Sequence, residues 1–239
     1  MTTAYNSWGH PAQTNTYMPH EMPSLIAAAN AASEDHLLAA TVYMASILAT
    51  NEIRYTIMSG FSLRLRGSTR TTHDVDVAVG CSMGRLLEVI RPREWIRRPA
   101  GHTAGVIRAF VAAGGDHDHG LPRQIVAVDL TLPGSLGAPE DLSTASEAIP
   151  INTPSGQQEL VLLDVKSILV AKLGVFFARA SAKDFHDLEF LGRCMASQAY
   201  AVKEYLNLGH RKAFVCAYSQ RWGWDTDRVQ QMKHAYGVD

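Results

Sequence analysis

Ser59-Gly60-Phe61-Ser62-Leu63-Arg64-Leu65-Arg66-Gly67-Ser68-Thr69-Arg70-Thr71-Thr72-His73-Asp74-Val75-Asp76-Val77 is the stretch on which the reading of this 239-residue chain turns. From Asp74 to Val79 polar and apolar residues alternate, the period of a half-buried strand. Asp74 and Asp76 are two apart, so both carboxylates leave on one face while Val75 and Val77 enter the core. Two like charges side by side repel, and a cation relieves them. Hard oxygen donors favour magnesium, or manganese, which would share its coordination with phosphate oxygens. Upstream, Tyr55-Thr56-Ile57-Met58 reads as a short strand and Phe61 to Leu65 as a short helix, with Ser59-Gly60 as the turn between them. At such a turn Gly60 lets backbone N–H groups approach a triphosphate, and the hydroxyls of Ser59 and Ser62 add donors. Arg70 and Thr72 sit in the connection into the Asp strand, where a fixed cation would meet phosphate. Alone, an Asp-x-Asp pair is an ordinary solvated turn; its context gives it chemistry.

Working outward, residues 1–22 are rich in Thr, Asn, Pro and His and read as an N-terminal arm that is poorly ordered or docks late. Ser33-Glu34-Asp35 marks a helix start, with apolar spacing continuing from Leu37 to Leu48. After the Asp strand come a helix over Met83 to Ile90 and strands near Ala104 to Ala112 and Gln124 to Leu132. The first of these strands leads into the loop Gly114-Gly115-Asp116-His117-Asp118-His119-Gly120. Pro133 to Glu147 is loop-like, and Ile149 to Asn152 adds an edge strand. Beyond Pro154 the chain reads as helical, with candidate helices over Leu163 to Ala178, Lys183 to Met195, Ala199 to Leu208 and Asp227 to Tyr236. The expected fold is therefore α/β (α+β): a mixed-sheet domain over 23–155, then a helical bundle over 156–239.

Composition is that of a soluble globular protein, 46% hydrophobic and 19% charged, and the net charge of −1 advertises no global basic field for nucleic acid. Cys81, Cys194 and Cys216 are three and far apart, which suggests reduced thiols in a cytoplasmic protein. No secretory signal is visible at the N-terminus. The apolar run from Leu160 to Ala178 is broken by Asp164, Lys166 and Lys172 and reads as a buried helix, not a membrane span.

The Ser59–Val77 run resembles the signature of the polymerase-beta-like nucleotidyltransferase superfamily. It is closest to the AbiEii-type nucleotidyltransferase toxins, whose pattern is approximately Gly-Gly-x-Ala and then Gly-x-x-Arg-x-Thr-x-Asp-x-Asp. Gly60, Gly67, Arg70, Thr72, Asp74 and Asp76 match; Ser59 stands where the pattern has its first Gly, and Ser62 where it has Ala. The resemblance implies a third carboxylate on a neighbouring strand. Asp129, within the apolar Ile125-Val126-Ala127-Val128-Asp129-Leu130, is the candidate, against the plainer reading of a satisfied core or strand-end Asp. Asp116 and Asp118 read as solvated loop residues. Lys172-Leu173-Gly174-Val175-Phe176-Phe177-Ala178-Arg179 and Lys183-Asp184-Phe185-His186-Asp187-Leu188 are similar to the toxins' Lys-Leu…Arg…(Lys/Arg)-Asp-x-x-Asp-Leu segment. Lys172 and Arg179 lie two helical turns apart on one face. The resemblance makes Lys172 a nucleotide or phosphate ligand, with Arg179 and Lys183 as further phosphate-binding candidates. Asp184 and Asp187 would organise these cations, and Lys183 is spaced to pair with Asp187. Without the upstream motif the segment would read as an amphipathic helix with surface ion pairs of little worth.

What the resemblance implies is magnesium- or manganese-dependent transfer of a nucleoside monophosphate from an NTP such as ATP to an acceptor hydroxyl, with release of pyrophosphate. Asp74, Asp76 and Asp129 would be the metal ligands. The acceptor it implies is RNA, with the tRNA 3′ end as leading candidate, and an antitoxin-like partner. Relatives in the superfamily modify small molecules or protein side chains instead. From a different class, the rival is a non-catalytic nucleotide- or partner-binding protein, kept open by Ser59 in place of Gly. The dipeptides His73-Asp74 and His186-Asp187 invite a metal phosphohydrolase reading, but the first lies on a strand and no second well-placed His accompanies the other. His117 and His119 lack further zinc ligands, and no G-x-G-x-x-G follows a strand.

Overall fold

The computed structural model describes residues 15–101, 104–115, 120–153 and 156–238. The loop residues Asp116, His117, Asp118 and His119 lie outside them. The chain divides into two compact units: an α/β unit, Met1–Ser62 with Thr71–Leu162, and a helical unit, Leu63–Arg70 with Leu163–Asp239.

The strands of the α/β unit are β1 (Thr16–Tyr17), β2 (Tyr55–Met58), β3 (Asp74–Val79), β4 (Ile96–Pro99), β5 (Val106–Ala113), β6 (Gln124–Thr131), β7 (Ser146–Thr153) and β8 (Gly156–Leu163, its last residue in the helical unit). Among the described residues they form a mixed sheet ordered β1-β4-β5-β6-β3-β2-β8-β7. Strand β3 lies near its centre, antiparallel to β2 and parallel to β6, and its alternate residues Val75, Val77 and Val79 are at most 2% exposed, as a central strand requires. The mixture of parallel and antiparallel pairs with helices is the α/β (α+β) class expected.

Helix α1 (Met22–Ala29) and helix α2 (Glu34–Thr50) cover parts of this sheet. Ser33 caps α2, and the Ser33 hydroxyl and His36 Nδ1 lie 2.6 Å apart. Thr16 to Glu21, within the segment read as an arm, is docked. Tyr17 pairs with Pro99, its ring meets the Phe110 edge at 5.3 Å, and its hydroxyl donates to the Arg108 carbonyl at 2.7 Å. Arg97 donates to the Thr16 carbonyl and holds Glu21 at 2.5 Å. Tyr17, Leu25, Ala29, Phe110 and Ala127 make one apolar cluster over β5 and β6.

Strand β8 replaces the helical onset expected after Pro154. Ile57 of β2 pairs with Leu162, so the sheet continues through the region read as the start of the bundle. Strand β4 was not visible in the sequence either, since Ile96-Arg97-Arg98-Pro99 does not alternate.

In the helical unit the helices are α5 (Val165–Arg179), α6 (Ala182–Cys194), α7 (Ala196–Ala201), α8 (Leu208–Trp222) and α9 (Thr226–Tyr236), with a 3-10 turn over Lys203–Tyr205. Asp164, Ser181, Asn207 and Asp225 each cap a helix by accepting a backbone N–H. Helix α8 falls in the part of the helical half where the sequence marks no separate helix, and the helix expected over Ala199 to Leu208 ends early in α7. Phe176, Phe185, Phe214, Tyr218 and Tyr236 form the aromatic core of this unit. Among the described residues no helix is long and apolar enough to cross a membrane.

Candidate active site

Strand β3 presents Asp74 and Asp76 half-buried on one face, with Val75 and Val77 buried on the other. Thr72 steadies the first: its hydroxyl donates to Asp74 Oδ1 at 3.1 Å. Register then extends the acidic face across the sheet. Asp76 stands opposite Met58 of β2 and Asp129 of β6, and Asp129 stands opposite Arg108 of β5. Residues in register share a face, so Asp76, Asp129 and Arg108 form one row. Asp74, Ala127 and Phe110 form the adjacent row, where the apolar cluster begins.

Arg108 was not picked out by the sequence. Its guanidinium forks onto Asp129, Nε to Oδ1 at 2.7 Å and Nη2 to Oδ2 at 2.5 Å. This hydrogen-bonded pairing raises the Arg108 pKa above its already high ordinary value against the opposing effect of burial, and the charges of Asp129, Asp74 and Asp76 add to it. Burial pushes the Tyr17 hydroxyl up; the Arg108 charge opposes that and the Asp129 charge reinforces it. The only sequence signal for Arg108 is an arginine on an otherwise apolar strand. Its partner depends on strand register, which spacing does not reveal.

The fit of a divalent cation follows from these positions. Asp74 and Asp76 are a suitable hard-oxygen pair, adjacent on one face. Asp129 gives an oxygen to each arm of Arg108. Among the described residues no group of three or more His, Cys, Asp or Glu is placed to share one metal ion. Asp74 and Asp76 are thus the adjacent acidic pair on β3, and Asp129, next in the row, is joined to Arg108.

The turn before α3 (Ser59–Leu65) is made by Ser59, whose φ is +58°, the left-handed region where glycine is at ease. Gly60 is buried behind it. Ser62 is fully buried, and its hydroxyl donates to the Ser59 carbonyl at 2.9 Å, so it closes the turn internally.

A separate cluster lies within the helical unit. Asp187, 0% exposed, accepts from Arg70 Nε at 2.5 Å and Nη2 at 3.1 Å, and its Oδ2 lies 2.6 Å from Lys172 Nζ. Asp184, 1% exposed, meets Arg179 at 2.9 Å, Lys172 at 3.5 Å and the Ser181 hydroxyl. Burial works to raise the Asp184 pKa, but the bonds from Arg179 and Ser181 and the Lys172 charge prevail and hold it below the usual carboxylate range. Arg70, Lys172 and Arg179 are thus brought together by Asp184 and Asp187. Lys183 is exposed, and Asp187 takes Arg70 and Lys172. His186 turns instead to Glu189, at 3.6 Å.

No family profile matches the chain, and no curated protein matches it. Among solved structures it is similar to JHP933 from Helicobacter pylori at 16% identity, over 85% of this chain and 90% of that one, with a TM-score of 0.44. A candidate nucleotidyltransferase from H. pylori matches at 16% identity, over 86% of this chain and 93% of that one, with a TM-score of 0.43. Another candidate nucleotidyltransferase, from Thermotoga maritima, matches at 15% identity over 58% of this chain and 84% of its own, with a TM-score of 0.38. With overlaps of this size, the functional reading rests on the site residues themselves.

Proposed function

We propose that the protein is a nucleotidyltransferase that moves a nucleoside monophosphate from an NTP onto an acceptor hydroxyl. The observation that carries this is the pairing of Asp74 with Asp76 on one face of β3, beside the Ser59–Gly60 turn that directly follows Met58, the register partner of Asp76. The acceptor oxygen bonds to the α-phosphorus, the bond to the β-phosphate oxygen breaks, and pyrophosphate leaves with the electron pair. Asp74 and Asp76 would hold magnesium or manganese. When bound, the ion supplies neutralisation of phosphate charge and acidification of the acceptor hydroxyl. Thr72 holds the Asp74 carboxylate in orientation, and the Ser59–Gly60 turn brings backbone close to the phosphates. Val75 and Val77 anchor the strand, so the protein's contribution is positioning of charge.

For the acceptor we favour RNA, with the tRNA 3′ end first among candidates. What supports it, besides the sequence resemblance, is the distribution of charge. The helical unit holds fourteen Lys and Arg against eight Asp and Glu; the α/β unit holds eight against fifteen. The near-neutral total conceals a basic unit of the kind polyanions bind. The test is label transfer from each α-labelled NTP, with magnesium or manganese, into total RNA, total protein and free small molecules. RNA labelling is expected. Label confined to protein or small molecules would overturn the RNA assignment and keep the chemistry.

A second reading is favoured by the Arg108–Asp129 pair, which occupies the carboxylate nearest Asp76 across the sheet. On that reading the fold binds nucleotide or a partner without turnover. It predicts saturable, metal-dependent NTP binding with no label transfer to any fraction.

A further inference from the structure

Resting on the nucleotidyl-transfer reading, we propose that Asp129 is a positioning residue that fixes Arg108, whose guanidinium meets the α-phosphate of the NTP while Asp74 and Asp76 alone hold the metal. Three features of the row support this. The fork-to-fork pairing uses Nε and Nη2 of Arg108 and leaves Nη1 for another acceptor. The Arg108 side chain is 35% exposed against 16% for Asp129, so the cation is the more accessible member. Its backbone is fixed as well: β5 is paired to β6 from Val106 to Ala113, and the buried Tyr17 donates to its carbonyl and packs on Phe110 two residues along.

Charge argues in the same direction. The row places Arg108 on the far side of Asp129 from Asp76, on the acidic face and within the field of all three carboxylates. A dication bound directly by Asp129 would sit beside the guanidinium and be repelled by it. With the metal on Asp74 and Asp76, that repulsion is reduced and the two cations flank Asp129. A phosphoryl group over the row would then meet positive charge from both sides. In the transfer step Arg108 donates hydrogen bonds to the non-bridging α-oxygens as charge builds on them and itself gains and loses no proton. The acceptor's proton passes to water.

The experiment measures two bindings on the full-length chain: Mn²⁺ by electron paramagnetic resonance, and the α,β-methylene analogues of the four NTPs by calorimetry. The variants are Asp76→Asn, Asp129→Asn, Arg108→Met, Arg108→Lys and the Asp129→Asn/Arg108→Met double, with thermal melts to verify folding. Asp76→Asn should weaken Mn²⁺ binding by about tenfold or more. Asp129→Asn and Arg108→Met should each leave Mn²⁺ affinity within about threefold and weaken the analogue by about tenfold or more, the double variant losing little beyond either single. Arg108→Lys keeps the charge without the fork and should give the same pattern should Arg108→Met fail to fold. If Asp129→Asn loses Mn²⁺ as severely as Asp76→Asn, or removing the Arg108 guanidinium leaves the analogue unaffected, this inference is overturned while the transferase reading stands. Mn²⁺ affinity indifferent to Asp76→Asn would overturn the transferase site and this inference with it.

Discussion

Ser59 shows how much one residue reveals about the site. Its φ of +58° is comfortable for glycine and costs an L-residue about 1 kcal/mol, and it occupies the position where the resembled pattern has its first glycine. Ser59→Gly should raise the unfolding free energy by about 0.5–1 kcal/mol in urea titrations; a fall would mean the serine's own contacts outweigh the strain. Asp74 and Asp76 are the opposite case, residues whose proximity serves chemistry more than stability. Asp74→Asn and Asp76→Asn should each lower transfer by about 10³-fold or more while leaving a folded protein, as rate and melting measurements on the same preparations would check. Arg108 is marked locally only as an arginine on an otherwise apolar strand, which does not name its partner. Only the β5–β6 register sets it opposite Asp129.

At the scale of elements, α5, α6 and the Leu63–Arg70 segment share an ion-pair node inside the helical unit. Asp187 has no exposure and two cationic partners, so Asp187→Ala should cost about 3–5 kcal/mol by leaving Arg70 and Lys172 without their carboxylate. Lys183→Ala, at an exposed position, should stay within about 0.5 kcal/mol in the same denaturation assay. Because the Asp184 pKa is lowered on folding, its stabilisation is present above the unfolded carboxylate value and is lost as pH falls through the folded one. Acid titration of stability should therefore show a loss beginning near the ordinary carboxylate pKa, and Asp184→Asn should flatten it. Helices α6 and α9 approach closely at Gly192, where a Cβ would stand 2.3 Å from Met232 Sδ and 2.8 Å from the Tyr236 ring. Gly192→Ala should cost about 1–3 kcal/mol, because the aromatic ring yields less than the methionine. Elements with a clean period were legible before any coordinates: β3 and α4 (Met83–Ile90) have the bounds that alternation and apolar spacing suggest. Strand β8 was not, since Gln157, Gln158 and Glu159 carry weak strand preference and its state is set by its place in the sheet between β2 and β7.

For the whole molecule, the informative quantity is charge separated by unit. The excess of fourteen basic over eight acidic residues in the helical unit predicts salt-sensitive RNA binding by the full chain. If three phosphates of a single strand are neutralised, affinity should fall roughly 20-fold between 50 and 200 mM salt; a flat response would argue against a polyanionic acceptor. The expected order, mixed sheet before helical bundle, was readable from the change of period along the chain. The return of Leu63–Arg70 to the helical unit was not, because it depends on Asp187 more than a hundred residues downstream. If the β3 carboxylates support transfer at the α-phosphate, the position of the label in the products reveals it. Wild-type protein and Asp76→Asn would each receive α-labelled and γ-labelled NTP in parallel, with total RNA as acceptor and manganese or magnesium present. Nucleotidyl transfer at this site should put α-label in RNA and γ-label in released pyrophosphate with the wild type, and neither with Asp76→Asn. Release of γ-label as inorganic phosphate, or equal transfer by the variant, would contradict it.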